Sequence, residues 1–135
     1  MLTRRWFAAC AICAAGGLLA AEVGARAQSG GLTRTVLNKQ EYPGDTMLTL
    51  QVLVEIEPNF LVAPHTHPGV ESGTVLEGSS VLSVKDRPDR TVAVGDSFQI
   101  PYQVPHLIRN GPTRTRVVST YVVEKDKPLA SPAPE

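Results

Sequence analysis

Between Thr46 and Glu57 the apolar residues Leu48, Leu50, Val52, Val54 and Ile56 take every second position, with Thr49, Gln51, Glu55 and Glu57 between them. A period of two over this length predicts a strand with one face in a core and the other in water. Pro58 and Asn59 end it, and shorter runs follow at 60–63, 72–76, 81–85, 91–94, 97–100, 106–109 and 116–124. Pro68-Gly69, Gly78, Asp86-Arg87-Pro88-Asp89, Gly95-Asp96 and Gly111-Pro112 separate the runs and supply turn dihedrals that β-branched neighbours cannot adopt. No stretch beyond residue 27 sustains a helical period. Short strands at even spacing predict an all-β fold, a sandwich or barrel.

Residues 1–27 break the pattern. Arg4 and Arg5 precede an Ala/Leu/Gly run that ends at Ala25-Arg26-Ala27, a small-x-small cleavage site, so this segment reads as an export signal removed from the mature protein. A retained membrane anchor is the rival reading; low hydropathy and the cleavage site favour removal. Thr3-Arg4-Arg5-Trp6-Phe7 resembles the twin-arginine motif, which implies export of an already folded chain to the periplasm. Ala8 and Ala9 depart from that motif, and an ordinary secretory signal stays open as the alternative. The predicted organisation is a signal at 1–27, an arm or edge strand at 28–45, one barrel at 46–124, and a Pro-rich tail at 125–135 that trails loosely over the surface.

Both cysteines, Cys10 and Cys13, fall inside the signal, where their spacing is filler in an apolar run rather than a redox pair. The mature chain then has neither disulfides nor thiolate ligands. The full chain has 13 basic and 13 acidic residues; removal of the signal takes three of the former and one of the latter, leaving a net charge of −2. With no basic cluster and only five aromatics in the mature chain, nucleic-acid binding has no support. Once the signal is removed, nothing predicts a membrane partner.

The three histidines, His65, His67 and His106, carry the chemistry. On a strand, residues two apart share a face, so His65 and His67 can present imidazoles to one ion while Thr66 points away. Glu71 follows after the Pro68-Gly69 bend and can offer a carboxylate to the same point. Imidazoles with one carboxylate suit Mn, Fe, Co, Ni, Cu or Zn, and four protein ligands on a six-coordinate ion leave two positions for water, oxygen or substrate.

In PHTHPGVESGTVLEG the spacing of His65, His67, Glu71 and Gly78 resembles the first motif of the cupin superfamily: G, five residues, HxH, three or four residues, E, six residues, G. GDSFQIPYQVPHLIRN places Gly95, Pro101, His106 and Asn110 on the second: G, five residues, PxG, two residues, H, three residues, N. Asn59 and Gln103 stand where the motifs have glycine, which bears on loop geometry rather than on ligands. The two motifs span residues 59–110, about half of the mature chain.

The resemblance implies a single antiparallel jelly-roll barrel of six to eight strands, with one divalent transition metal near an open end held by His65, His67, Glu71 and His106. Gly95, Pro101 and Asn110 would shape the turns around His106. It further implies a metal-dependent oxidoreductase resembling small quercetin-dioxygenase-like cupins, acting on a small oxygen-rich molecule, with Glu71 as a ligand able to accept a proton. A non-catalytic metal- or ligand-binding module, and a cupin isomerase or decarboxylase, are the alternatives, because the pocket walls set the reaction. Copper and zinc compete strongly for such ligands in the periplasm, so export after folding would favour a weaker binder loaded earlier, such as Mn or Fe.

Gly73, Val75 and Ile108 share faces with the proposed ligands. Phe60, Phe98, Tyr102 and Tyr121 read as core, and Arg109 and Arg116 as solvated positions rather than anion sites. The alternating strand at 46–57 is the candidate edge for a homodimer.

Overall fold

The computed structural model describes residues 23, 24 and 26–134, and the signal assigned to residues 1–27 lies almost wholly outside them. The described elements are all strands: β1 (Arg26–Ser29), β2 (Leu32–Glu41), β3 (Met47–Ile56), β4 (Leu61–Thr66), β5 (Gly69–Glu77), β6 (Ser79–Val84), β7 (Arg90–Ala93), β8 (Ser97–Ile100), β9 (His106–Asn110), β10 (Thr115–Glu124) and β11 (Ser131–Pro132). They form two antiparallel sheets, β1-β2-β3-β10-β5-β8 and β11-β4-β9-β6-β7. Eleven strands among the described residues replace the six to eight expected, because β1, β2 and β11, which lie outside the barrel expected at 46–124, also join the sheets.

Alternation does what the sequence pattern demands. In β3 every second residue from Leu48 to Ile56 is buried, and β10 repeats this at Thr115, Val117, Ser119, Tyr121 and Val123. These rows meet Val36, Val62, Val75, Leu82 and Ile100 in one core. No disulfide is required, since apolar burial at roughly 25 cal/mol per Å² is the main driving force in such a barrel.

Three elements differ from expectation. The strand at 46–57 is not an edge: β3 lies between β2 and β10, so its hydrogen-bonding groups are taken on both sides. The outer strands are β1 and β8 in one sheet and β11 and β7 in the other. Secondly, the C-terminal segment does not trail loosely. Ser131 and Pro132 pair with Thr66 and His65 of β4, and Leu129 is buried in the core. Leu129 is the apolar anchor among prolines that makes docking favourable. Thirdly, Arg26 and Ala27 of β1 pair with Thr35 and Arg34 of β2, so cleavage after Ala27 would leave only Gln28 and Ser29 of that pairing.

Candidate metal centre

The site is built where β4, β5, β9 and β10 face one another. In β9, His106 and Asn110 are buried while Arg109 is exposed, as period two requires. In β4 the period is broken. Val62 lies opposite Ile108, but His65 lies opposite His106, so three steps on β4 match two on β9. This bulge contains Ala63 and Pro64, and a proline without an N–H is tolerated in a sheet at such an irregularity. Its consequence is a change of face: Val62 points into the core, and so does His65, which strict alternation would have turned outwards. His67 follows just past the strand end and is buried.

Ligand atoms of His65, His67 and His106 lie within 4.8 Å of one another, with ring centroids 4.2 to 5.0 Å apart. Each Nδ1 sits on a backbone carbonyl: His65 on Ala63 at 2.8 Å, His67 on Leu129 at 2.6 Å, and His106 on Val104 at 2.9 Å. A carbonyl oxygen can only accept, so every Nδ1 donates, and each neutral ring is left with a lone pair on Nε2. Such bonds to the far nitrogen are how proteins orient metal-binding histidines.

Glu71, from β5, shares the centre. Its Oε1 accepts hydrogen bonds from the Ser119 and Tyr121 hydroxyls at 2.7 and 2.9 Å. Its Oε2 is turned towards the imidazoles, 3.1 Å from His67 Nε2 and 3.6 Å from His106 Nε2. Burial pushes the Glu71 carboxyl up, but without an ion between them, hydrogen bonds from the His106 and His67 imidazoles, together with their charge, outweigh burial and hold it well below the usual range. His65 is lowered from 6.5 to about 3, first by burial and then by the neighbouring rings of His106 and His67. The Tyr121 hydroxyl is pushed well above 10 by burial and then by the Glu71 charge, so it remains a donor.

This arrangement fits a cation. With the rings neutral, the buried Nε2 atoms of His67 and His106 have no donor to meet, since the carboxylate oxygen they face also brings no proton. Three acceptors converging in a low-dielectric interior repel one another unless a positive charge lies between them. The three-histidine cluster can therefore hold a metal ion, whose identity the donor set leaves open.

The model of the cupin domain family matches residues 52–121, which include all four of these side chains. The chain belongs to the cupin family. It is 32% identical over 105 residues to a germin-like protein, subfamily T member 3, of Arabidopsis thaliana, covering 73% of this chain and 45% of that one. The chain spans under half the length of the curated relatives it matches. Among solved structures it is similar to a double-stranded β-helix protein from Klebsiella pneumoniae (TM-score 0.61, 18% identity, 83% and 92% of the two chains covered). It is also similar to an oxalate oxidase in complex with the substrate analogue glycolate (TM-score 0.54, 24% identity, 62% and 45% covered). At these identities the structures show a shared cupin fold.

The two cupin motif glycines replaced here keep their backbone shape. Asn59 and Gln103 have φ of 58° and 57°, the left-handed conformation that glycine adopts without strain. Gln103 N–H in turn donates to the His67 carbonyl at 3.1 Å, so this loop buttresses the histidine pair. Asn110 lies at the far end of β9 from His106, where its amide donates to the carbonyls of Ile56, Glu57 and Thr113.

A cavity of about 20 Å³ adjoins the cluster, walled by His65, Glu71 and His106 together with Phe98, Ile108 and Tyr121. Gly73 does not line it: a Cβ there would meet the Phe98 ring at 2.3 Å, so the missing side chain lets Phe98 pack over β5. Tyr102 is exposed and donates to Glu124. Arg109 pairs with Asp89, and Arg116 with Glu55 and Glu77, away from the cavity. Sequence reasoning missed Ser119 as a donor to Glu71, Tyr121 as another, and Leu129 as the acceptor for His67. Ser119 and Tyr121 alternate with Val117 and Val123, so their inward face was readable, but their partner needed the β5–β10 register.

Proposed function

We propose that this chain is a metal-dependent cupin oxidoreductase acting on a small oxygen-rich molecule, with His65, His67, His106 and Glu71 holding the ion. The observation that carries the reading is the set of imidazoles with Nδ1 protons fixed on carbonyls and Nε2 lone pairs directed, with Glu71 Oε2, into one buried space. The germin-like relative and the oxalate oxidase of similar fold support an oxidase-type reaction. A bound transition metal supplies Lewis acidity and open coordination positions for substrate and oxygen.

The protein's own part is orientation, water exclusion and control of protons. With Oε1 taken by Ser119 and Tyr121, Oε2 is the Glu71 atom available to the ion or to a substrate proton. Two hydroxyl donors lower its basicity and favour the ligand role. Phe98, Ile108 and Val117 contribute apolar parts of the wall, and free space for about one water molecule favours a compact substrate over a flavonol.

The reading of residues 1–27 as a leader adds that the mature protein works in the periplasm, supported by the paired arginines and the small-x-small site. Elemental analysis of protein recovered from a periplasmic fraction, followed by oxygen uptake with glycolate, oxalate, catechols and β-diketones, tests the proposal. Metal-dependent uptake with one of these is expected. Tight metal retention without turnover would replace it with a binding module, and turnover without oxygen with an isomerase or decarboxylase.

A further inference from the structure

Arg34 stands in β2 between Leu32 and Val36, two core residues that share its face of the strand. It is the cationic side chain in the wall of the cavity beside the metal centre, where His65, Glu71 and His106 also stand. Its Nε is cut off from solvent and has no acceptor. Arg109, Arg114 and Arg116 all pair with carboxylates, but Arg34 forms no ion pair among the described residues. Arg34 is half-buried, and an enclosed Nε–H without an acceptor carries a desolvation cost that an anion reaching the guanidinium would relieve. Glu71 does not serve, because one of its oxygens is occupied by Ser119 and Tyr121 and the other faces the histidines.

The position of Arg34 suits a partner that comes from outside. A second cavity, of about 240 Å³, opens beyond the first and is walled by Phe60, Pro64, Ala130 and Pro132. Leu32, Arg34, Val62 and His65 belong to both walls, so they stand between the outer space and the inner one. A molecule seated in the outer space lies against Arg34 and His65 together.

We propose that Arg34 is the specificity-determining residue of the site and that it selects a small carboxylate, the planar guanidinium pairing with the carboxylate as an arginine fork does. The inference deepens the functional reading above and rests on it for the identity of the neighbouring site. Charge agrees with it: a divalent ion with Glu71 leaves one positive charge, and Arg34 adds a second, so an anion is favoured over a neutral molecule of the same shape. Size agrees too, since the inner cavity has free space for about one water molecule and the outer one, of about 240 Å³, can hold the rest of a small acid.

The test compares the wild type with Arg34→Gln and Arg34→Lys. Metal content is measured on each, and glycolate and its neutral counterpart glycolamide are titrated by calorimetry. Wild type should bind glycolate at least tenfold more tightly than glycolamide, a difference of about 1.4 kcal/mol. Arg34→Gln should lose most of that preference and keep full metal content, and Arg34→Lys should restore part of it. Unchanged glycolate affinity in Arg34→Gln, or equal affinity of the wild type for acid and amide, would overturn the assignment. If the wild type holds no metal, the metal-centre reading fails on its own. Arg34 is then judged by the same titration of the metal-free protein, where absent or Arg34-independent glycolate binding refutes it.

Discussion

Two polar clusters are buried in this barrel, at opposite ends of the same short strand, and they are built on opposite principles. At the Asn110 end every polar atom finds a protein partner: the amide donates to three carbonyls, and Oδ1 accepts from Ser80 at 2.8 Å and Thr115 at 2.6 Å. At the His106 end, about 13 Å away along the strand, the outer nitrogens are satisfied and the inner ones are not. The first cluster is complete without any ligand and contributes stability. The second leaves its inner nitrogens without a protein donor when the rings are neutral and can take a cation there. Counting partners atom by atom thus separates a structural polar core from a binding site when both are equally buried.

Substitutions can break each half of this contrast. The largest effect belongs to His106→Ala, which should abolish stoichiometric metal binding, seen by elemental analysis, while the melting temperature of the metal-free protein stays within a few degrees of wild type. Asn110→Ala should do the reverse: metal content remains, but several buried groups lose partners and stability falls by about 3 kcal/mol. That corresponds to a drop in Tm on the order of 10 °C or more.

Acid should separate the clusters as well, because the Asn110 network does not titrate. His65 binds its proton near pH 6.5 when unfolded and only near pH 3 when folded. Between these values the unfolded chain holds more protons, so the metal-free protein loses stability as pH falls through this window, by at most about 1.4 kcal/mol per pH unit from this residue. Glu71 acts in the same direction, its contribution being present above its unfolded value of 4.5 and lost as pH falls below that. A flat stability profile from pH 7 to 4 in chemical denaturation would contradict the burial assigned to His65.

Smaller effects sharpen the comparison further. Tyr121→Phe removes one of two donors to Glu71 and should weaken metal affinity about tenfold, by chelator competition, with stability changed by about 1 kcal/mol. Gln103→Gly should relieve the left-handed backbone and raise stability by about 0.5 kcal/mol in a denaturant melt, with no loss of metal.

Much of this architecture was legible in the sequence because the patterns were local. The alternation of β3 and β10, the punctuating glycines and prolines, the spacing of His65, His67 and Glu71, and separately that of Gly95, Pro101, His106 and Asn110, each lie within a short window. What escaped was set by register or by distance along the chain. Strict period two would have put Val62 and His65 on opposite faces, and only the bulge at Ala63 and Pro64, visible once β4 is paired with β9, turns them the same way. Arg34 left a usable signal, since it falls in phase with Leu32 and Val36, but nothing before the sheets are assembled shows that this face looks into the cavity. The tail misled because its prolines suggested an extended segment, while Leu129 and the Ser131–Pro132 pairing tie it down.

The hydrogen bond from His67 to the Leu129 carbonyl spans 62 positions. A ribosome makes His67 well before Leu129, so the imidazole acquires its final orientation only once that later segment has been made and has docked. For the same reason, a proteolytic cut that freed Leu129 from the barrel would act on the centre as directly as a change in one of its histidines.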